Sequence, residues 1–395
     1  MSEFIQLHML VSYPPSNLNR DDLGRPKTAV MGGTQRLRIS SQSLKRAWRT
    51  SDVFQKTLEG HIGIRTKEMG VKVKEALMSG IPLSDILSGK SATPVSSTIS
   101  EKDAAPWALK IAAVFVDKTG KKDDKKTDEE TEEPADKKKG ATKEKSNIDS
   151  KTLKGEQLVF YSNNEIEAIQ NLIAILLKEK REPKTAELSQ LLQETLTSVD
   201  VAMFGRMLAN ATKNNIEAAV QVSHAVTVHE IAVEDDYFTA VDDLNRGMED
   251  AGAAHVGETE FSSGLFYTYV CIDTSLLKKN LGGDAALAKN AIRSLVEAAA
   301  KVAPSGKQNS FASRAYASYL LAEKGSQQPR SLSVAYLAAQ RDKDPLAGAI
   351  KSLTETRKNM DKVYGACCDA SREMNAVTGT GSLGEVLDFV ADIHA

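Results

Sequence analysis

The side chains best suited to chemistry in this sequence lie between Leu18 and Arg49. Arg20, Arg25, Lys27, Arg36, Arg38, Lys45, Arg46 and Arg49 stand there against only Asp21 and Asp22. The chain as a whole has a formal net charge of −2, so this excess is a local patch. Pro26 and Gly32-Gly33 mark its first part as an irregular loop. From Ser40 or Ser41 onward the pattern is that of a helix with a serine N-cap. At about 100° per residue, Gln42, Lys45, Arg46 and Arg49 share roughly one quadrant, with Leu44, Ala47 and Trp48 opposite. A helix N-terminus also favours phosphate. For the helix alone, a solvated basic face is as good a reading as an anion site. The further cations of the loop favour a nucleic-acid backbone.

Other reactive constellations are weak. His224 and His229 are five apart in a strand-like stretch, so they point to opposite faces and make a poor metal pair. His8 reads as a structural histidine. There is no H-E-x-x-H, Walker A or nucleophile-elbow motif. Asp235-Asp236 and Asp242-Asp243 are acidic pairs of the kind a two-metal nuclease uses, but no His-Asp pairing accompanies them. Cys271, Cys367 and Cys368 have no zinc spacing and suit a reducing compartment. No catalysis, metal or cofactor is expected.

The elements that must position the basic patch follow from periodicity. Phe4–Tyr13 alternates with Ile5, Leu7, Met9 and Val11 on one face, a central strand. Ile64–Met78, Pro82–Leu87 and Ala104–Val116 read as helical, the last with Trp107 inward. Asp117–Ser146 holds lysines and acids with almost no apolar residue, which predicts a solvated, disordered insertion. Glu165–Glu182 and Thr185–Ser198 show helical spacing. Val199–Leu208 is apolar, with Gly205 suggesting close approach of a ligand or backbone; read alone, Met207 belongs to the core. Ser223–Ile231 and Phe261–Ile272 read as strands, and the acidic, glycine-bearing stretch between them predicts a protruding hairpin. Tyr237 and Phe238 at its base either stack on bases or pack in the core. Ala286–Val302 is an amphipathic helix, Ser310–Tyr319 the next strand, and Pro345–Tyr364 and Leu383–Ile393 terminal helices. With 395 residues and 41% hydrophobic content, the chain can bury one large core or two smaller ones. The N-terminus lacks a signal-peptide pattern and no apolar run spans a membrane, so a cytoplasmic location is expected.

The blocks LNRDD, GG-x-x-R-x-RISSQSLKRA-x-R, FTAVDD and AHVG-x-x-EFSSG-x-FY resemble, in order, the CasC family, the backbone subunit of the type I-E CRISPR complex Cascade. The resemblance is close near the N-terminus and over 199–270. It implies an α+β fold: a modified ferredoxin-like (RRM-type) palm, helical fingers and a β-hairpin thumb. The corresponding divisions here are palm 1–60, fingers 61–198 containing the insertion 117–146, palm 199–228, thumb 229–260, and palm with terminal helices 261–395. It implies RNA contacts from Asn19, Arg20, Lys27, Arg38, Ser40, Gln42, Lys45, Arg46, Arg49, Arg206, Met207, Lys307 and Gln308. Tyr237, Phe238, Thr239 and Val256 would form a thumb wedge that turns a guide base outward. The family favours Trp-Phe at 237–238 and Leu at 256, so the wedge stays apolar with changed side chains. Implied partners are CRISPR RNA, target DNA through the guide, head-to-tail copies of the chain, and the repeat-processing, cap, large and small subunits. A metal-dependent nuclease and a monomeric RRM-type RNA binder are the alternative readings.

Overall fold

The computed structural model describes residues 3–90, 94, 98–115, 150–155, 157–193, 195–208, 211–240 and 255–393. The insertion expected at 117–146, and Asp242-Asp243, lie outside the described residues. The chain is α+β and divides into two units: Met1–Ile62 with Ala202–Phe204 and Glu217–Ala395, and Gly63–Val201 with Gly205–Ile216.

The first unit is built on an antiparallel sheet. Its strands are β1 (Phe4–Ser16), β2 (Thr28–Met31), β3 (Thr34–Ile39), β6 (Val220–Val222), β7 (Ala225–Thr227), β8 (Glu234–Ala240), β9 (His255–Asp273), β10 (Ala317–Gly325) and β11 (Ala370–Asn375), with β4 (Ile64–Thr66) and β5 (Val159–Tyr161) pairing in the other unit. The order is β11-β10-β1-β9-β7-β3-β2, with β6 and β8 also paired to β9. The four central strands β10-β1-β9-β7, with helices Ser41–Arg49 (α1) and Ala285–Lys301, follow a ferredoxin-like β-α-β-β-α-β course. β1 is central, paired with β10 on one edge and β9 on the other, and both its faces are covered: Ile5, Leu7 and Met9 on one side, Gln6, His8 and Leu10 on the other, all buried. Helix Ala285–Lys301 buries Ala288, Ala291 and Ala298, small side chains that let it lie close to its neighbours. His8 is fully buried between Tyr267 Oη (2.9 Å) and Glu323 Oε2 (3.1 Å).

Three expectations are corrected. Gly32-Gly33 is not irregular loop but the two-residue turn of a β2–β3 hairpin, both glycines having positive φ (61° and 77°). A Cβ at Gly32 would also strike the Leu337 carbonyl. Ser223–Ile231 is not one strand: β6 and β7 flank a break at Ser223-His224. Ser310–Tyr319 is not strand throughout; a helical turn, Gln308–Phe311, lies between Lys307 (φ 50°) and Ala312 (φ 47°), and β10 begins only at Ala317.

The second unit is mainly helical. Helices Met69–Ser79, Leu83–Ser88, Glu101–Ala112 and Asn163–Glu179 surround a core of Val73, Leu77, Trp107, Ile111, Ile169 and Leu176. The predicted helix Thr185–Ser198 stops at Ser189. Residues 205–216, expected with the sheet, cluster with these helices. The cause is Arg206. It is buried and pairs with Glu165 at 2.5 Å, while its guanidinium also donates to the carbonyls of Phe160 (3.2 Å) and Asn214 (3.4 Å). Gly205 ends helix Val199–Phe204 with φ 77° and ψ 165°, a conformation open essentially to glycine alone. Its glycine therefore serves the turn, not a ligand approach.

Candidate nucleic-acid interface

The basic loop is held by side chains that the charge count does not reveal. Asn17 is buried and donates from Nδ2 to the Gly24 carbonyl and to the Glu260 carbonyl, both at 2.9 Å. One amide thus ties the loop to the base of the hairpin. Asp21 accepts from the backbone N–H groups of Arg25 (2.9 Å) and Leu23 (3.0 Å) and from Arg25 Nε (3.3 Å). The Arg25 backbone N–H is the main cause holding the Asp21 carboxyl below its ordinary range. Lys27 N–H donates to the Asn19 carbonyl, and Arg38 N–H to the Lys27 carbonyl, both at 2.8 Å. The loop is therefore laced onto β3, and a small cleft opens between Asn19, Lys27, Arg38, Ser262 and Phe266.

Helix α1 begins where that lacing ends. Asn19 Oδ1 accepts from Ser40 N–H (2.9 Å), and Ser40 Oγ accepts from Ser43 N–H (3.3 Å) as the N-cap. Both residues were expected to touch RNA; their oxygens here position the helix start. The capping serine supplies about 1 kcal/mol. Leu44 and Trp48 are buried, which turns the other face outward. Gln42 and Arg46 are exposed, Lys45 and Arg49 half-buried. No acid occupies the first turn. The Lys45 ammonium lies 5.4 Å from the centroid of the Phe204 ring, and burial lowers its pKa. Arg36, counted among the cations, is fully buried and spends its guanidinium on Thr34 Oγ1 and the carbonyls of Thr227 and Tyr336.

Lys307 and Gln308 reach the same strip by another route. A Cβ at Gly306 would come within 2.2 Å of the Leu18 carbonyl oxygen, so the 304–308 turn rests directly on the basic loop. Phe311 anchors its far end on Phe261, with ring centroids 5.9 Å apart. Asn19, Lys27, Arg38, the α1 cations and Lys307 thus gather around one stretch of the first unit; Arg20 is exposed within the loop. Arg206 belongs to the second unit, where its guanidinium is consumed by Glu165. Met207 belongs to the second unit and is 78% exposed, contrary to the core placement its apolar neighbourhood suggested.

The hairpin of β8 and the first part of β9 protrudes with all of β8 exposed. β9 runs unbroken for 19 residues from the hairpin into the sheet, which gives the protrusion a rigid root. Tyr237, Phe238 and Val256 are exposed. Register divides them: Tyr237 and Thr239 share a face with Val256 and Glu258, while Phe238 lies on the other face over Gly257. A Cβ at Gly257 would come within 2.4 Å of the Phe238 ring. The expected four-residue wedge is therefore a three-residue edge with Phe238 bracing the reverse side.

Sequence reasoning missed two contributors. His224, set aside as a poor metal ligand, bonds Arg38 Nη1 through Nδ1 at 3.1 Å. Asn17 gave no signal beyond its place beside LNRDD. Among the described residues, no three His, Cys, Asp or Glu side chains form a group that could hold a metal ion, and no helix is long and apolar enough to cross a membrane.

Comparison with known proteins puts these features in context. No curated protein matches the chain. A solved chain from a "CRISPR RNA-guided surveillance complex, pre-nicking" is 26% identical, with TM-score 0.73 over 98% of this chain and 99% of that one. Another, from a "CRISPR RNA-guided surveillance complex", is 21% identical with TM-score 0.64 over the same shares and speaks to the fold. The model of the CT1975-like protein family of Cas proteins matches residues 5–385, and the chain belongs to that family.

Proposed function

We propose that the chain is the non-catalytic backbone subunit of a type I-E Cascade complex, polymerising along CRISPR RNA in the cytoplasm. The observation that carries this reading is the cationic strip at α1, joined by the Asn17 amide to the root of a protruding hairpin. Lys27, Arg38, Gln42, Lys45, Arg46, Arg49 and Lys307 would hold phosphates and sugars, which makes the grip independent of sequence. Asn19 and Ser40 would act by fixing the start of α1. The edge formed by Tyr237, Thr239 and Val256 would cross the strand and turn a base outward. Sequence recognition would then fall to pairing between guide and target DNA. Copies would meet head to tail, a heterologous contact that ends where the RNA ends. The processing, cap, large and small subunits would complete the particle.

Co-expression with a CRISPR array and the partner subunits, followed by purification through a tag on this chain, tests the reading. A uniform RNA with repeat ends, in a particle holding several copies of the chain, is expected. A monomer without RNA, or with mixed cellular RNA that washes off in moderate salt, would overturn it.

A further inference from the structure

The break between β6 and β7 is a β-bulge with a purpose. Val222 pairs with Val270 and Val226 with Tyr267, so three residues, Ser223, His224 and Ala225, oppose only Thr268 and Tyr269. Ser223 fixes the irregularity: its N–H donates to the Tyr269 carbonyl and its Oγ accepts from Tyr269 N–H, both at 2.9 Å. Bulges of this type re-aim a side chain. On the other side, β7 pairs with β3 through Ala225 with Ile39 and Val226 with Arg38. Continuing that register sets His224 beside Ser40, the N-cap of α1.

His224 is exposed, and Arg38 Nη1 lies 3.1 Å from its Nδ1. A guanidinium only donates, so Nδ1 accepts and the ring proton sits on Nε2. The charged groups around the ring are Arg38 on β3 and Lys27 in the loop; the first turn of α1 has no acid, and β9 contributes Thr268 and Tyr269. Burial first, then Arg38 and Lys27, hold the imidazole below its ordinary pKa.

Building on the RNA-binding reading above, we propose that His224 is a further ligand of the RNA backbone, aimed by the bulge to donate Nε2–H to a phosphate held with Lys27 and Arg38. A phosphate there offsets the charges of Arg38 and Lys27 and so favours the imidazolium, whose Nδ1 releases its bond from Arg38 on taking up the proton. RNA binding then takes up a proton, and affinity rises as pH falls.

The test uses the full chain and a labelled single-stranded RNA of mixed sequence, with affinities measured by anisotropy at about pH 6 and about pH 8, on either side of the ordinary histidine value. Wild type should bind several-fold tighter at the lower pH. His224→Gln, which keeps a donor but cannot charge, should lose that dependence; His224→Ala should also weaken binding at the higher pH by about fivefold. Lys45→Ala with Arg49→Ala serves as the reference for the RNA face. If that pair weakens binding while both His224 variants match wild type at each pH, the proposal is overturned and the RNA-binding reading stands. If the pair has no effect either, both fall. Should His224→Ala fold poorly, the pH comparison between wild type and His224→Gln decides alone.

Discussion

Arg206 and Glu165, 41 residues apart in sequence, meet as a buried ion pair at 2.5 Å with side chains 1% and 0% exposed. The Glu165 carboxylate also accepts from Ser162 N–H at 3.0 Å, closing the capping box of helix Asn163–Glu179. The guanidinium is therefore an internal brace for the helical unit, although the family resemblance implied an RNA contact for it. Removing one partner of such a pair leaves an uncompensated buried charge, which costs about 3–5 kcal/mol. Arg206→Met should lower the first thermal transition by many degrees, while the fraction that remains folded binds RNA as wild type does. A variant with normal melting and lost RNA binding would contradict the structural role.

Lys45 and Arg49 present the opposite case. On the strip exposed by burial of Leu44 and Trp48, their loss should weaken RNA binding for all sequences alike. If each meets one phosphate, the slope of log affinity against log salt should flatten by roughly 1.4 for single-stranded RNA. Titrations with several unrelated RNAs at graded salt give both numbers; a loss confined to one sequence would sink the assignment.

The hairpin predicts a separable effect. Tyr237, Thr239 and Val256 share one exposed face of it. Tyr237→Ala with Val256→Ala should leave melting within about 0.5 kcal/mol of wild type, as exposed positions do. In the assembled particle, chemical probing of the guide should show reactive bases at regular intervals, and the double variant should lose them. An unchanged reactivity pattern would remove the wedge from the account.

Histidine 8 sets a pH dependence of stability. Burial, its largest cause, lowers the His8 pKa in the folded chain, whereas the unfolded residue titrates near 6.5. Below that value the unfolded state binds a proton the folded state refuses, so stability falls as pH drops from 7 towards 5. Glu323 adds to this at lower pH. Burial alone would raise its carboxyl, but His8 and Arg330 outweigh burial and hold it far below the ordinary range. Its contribution is complete above the ordinary carboxylate range and is lost as pH falls through the depressed value. Urea midpoints at pH 7 and 5 should differ less in His8→Gln than in wild type.

The legible parts of the chain were those with strong periodicity. The alternation of Phe4–Tyr13 gave the central strand, and Leu44 and Trp48 fixed which side of α1 is inward. The tyrosine and valine of the hairpin were readable as a protrusion because acids and glycine separate two β-prone runs. What escaped depends on long-range pairing. Whether an arginine serves a ligand or the fold is decided by what approaches it, and for Arg36 the neighbours are 191 and 300 residues away. A bulge is likewise invisible in one strand, since it exists only as a mismatch of register between two.

The approach of Gly306 to Leu18 bears on when the protein can act during its synthesis. The cationic strip draws on segments far apart in the sequence, and β1 reaches its place only between β9 and β10. A ribosome-bound fragment lacking residues 304–325 therefore presents the basic loop without its supporting turn or one of the strands flanking β1. Emergence of residues 304–325 therefore sets the earliest moment at which the complete cationic strip can exist.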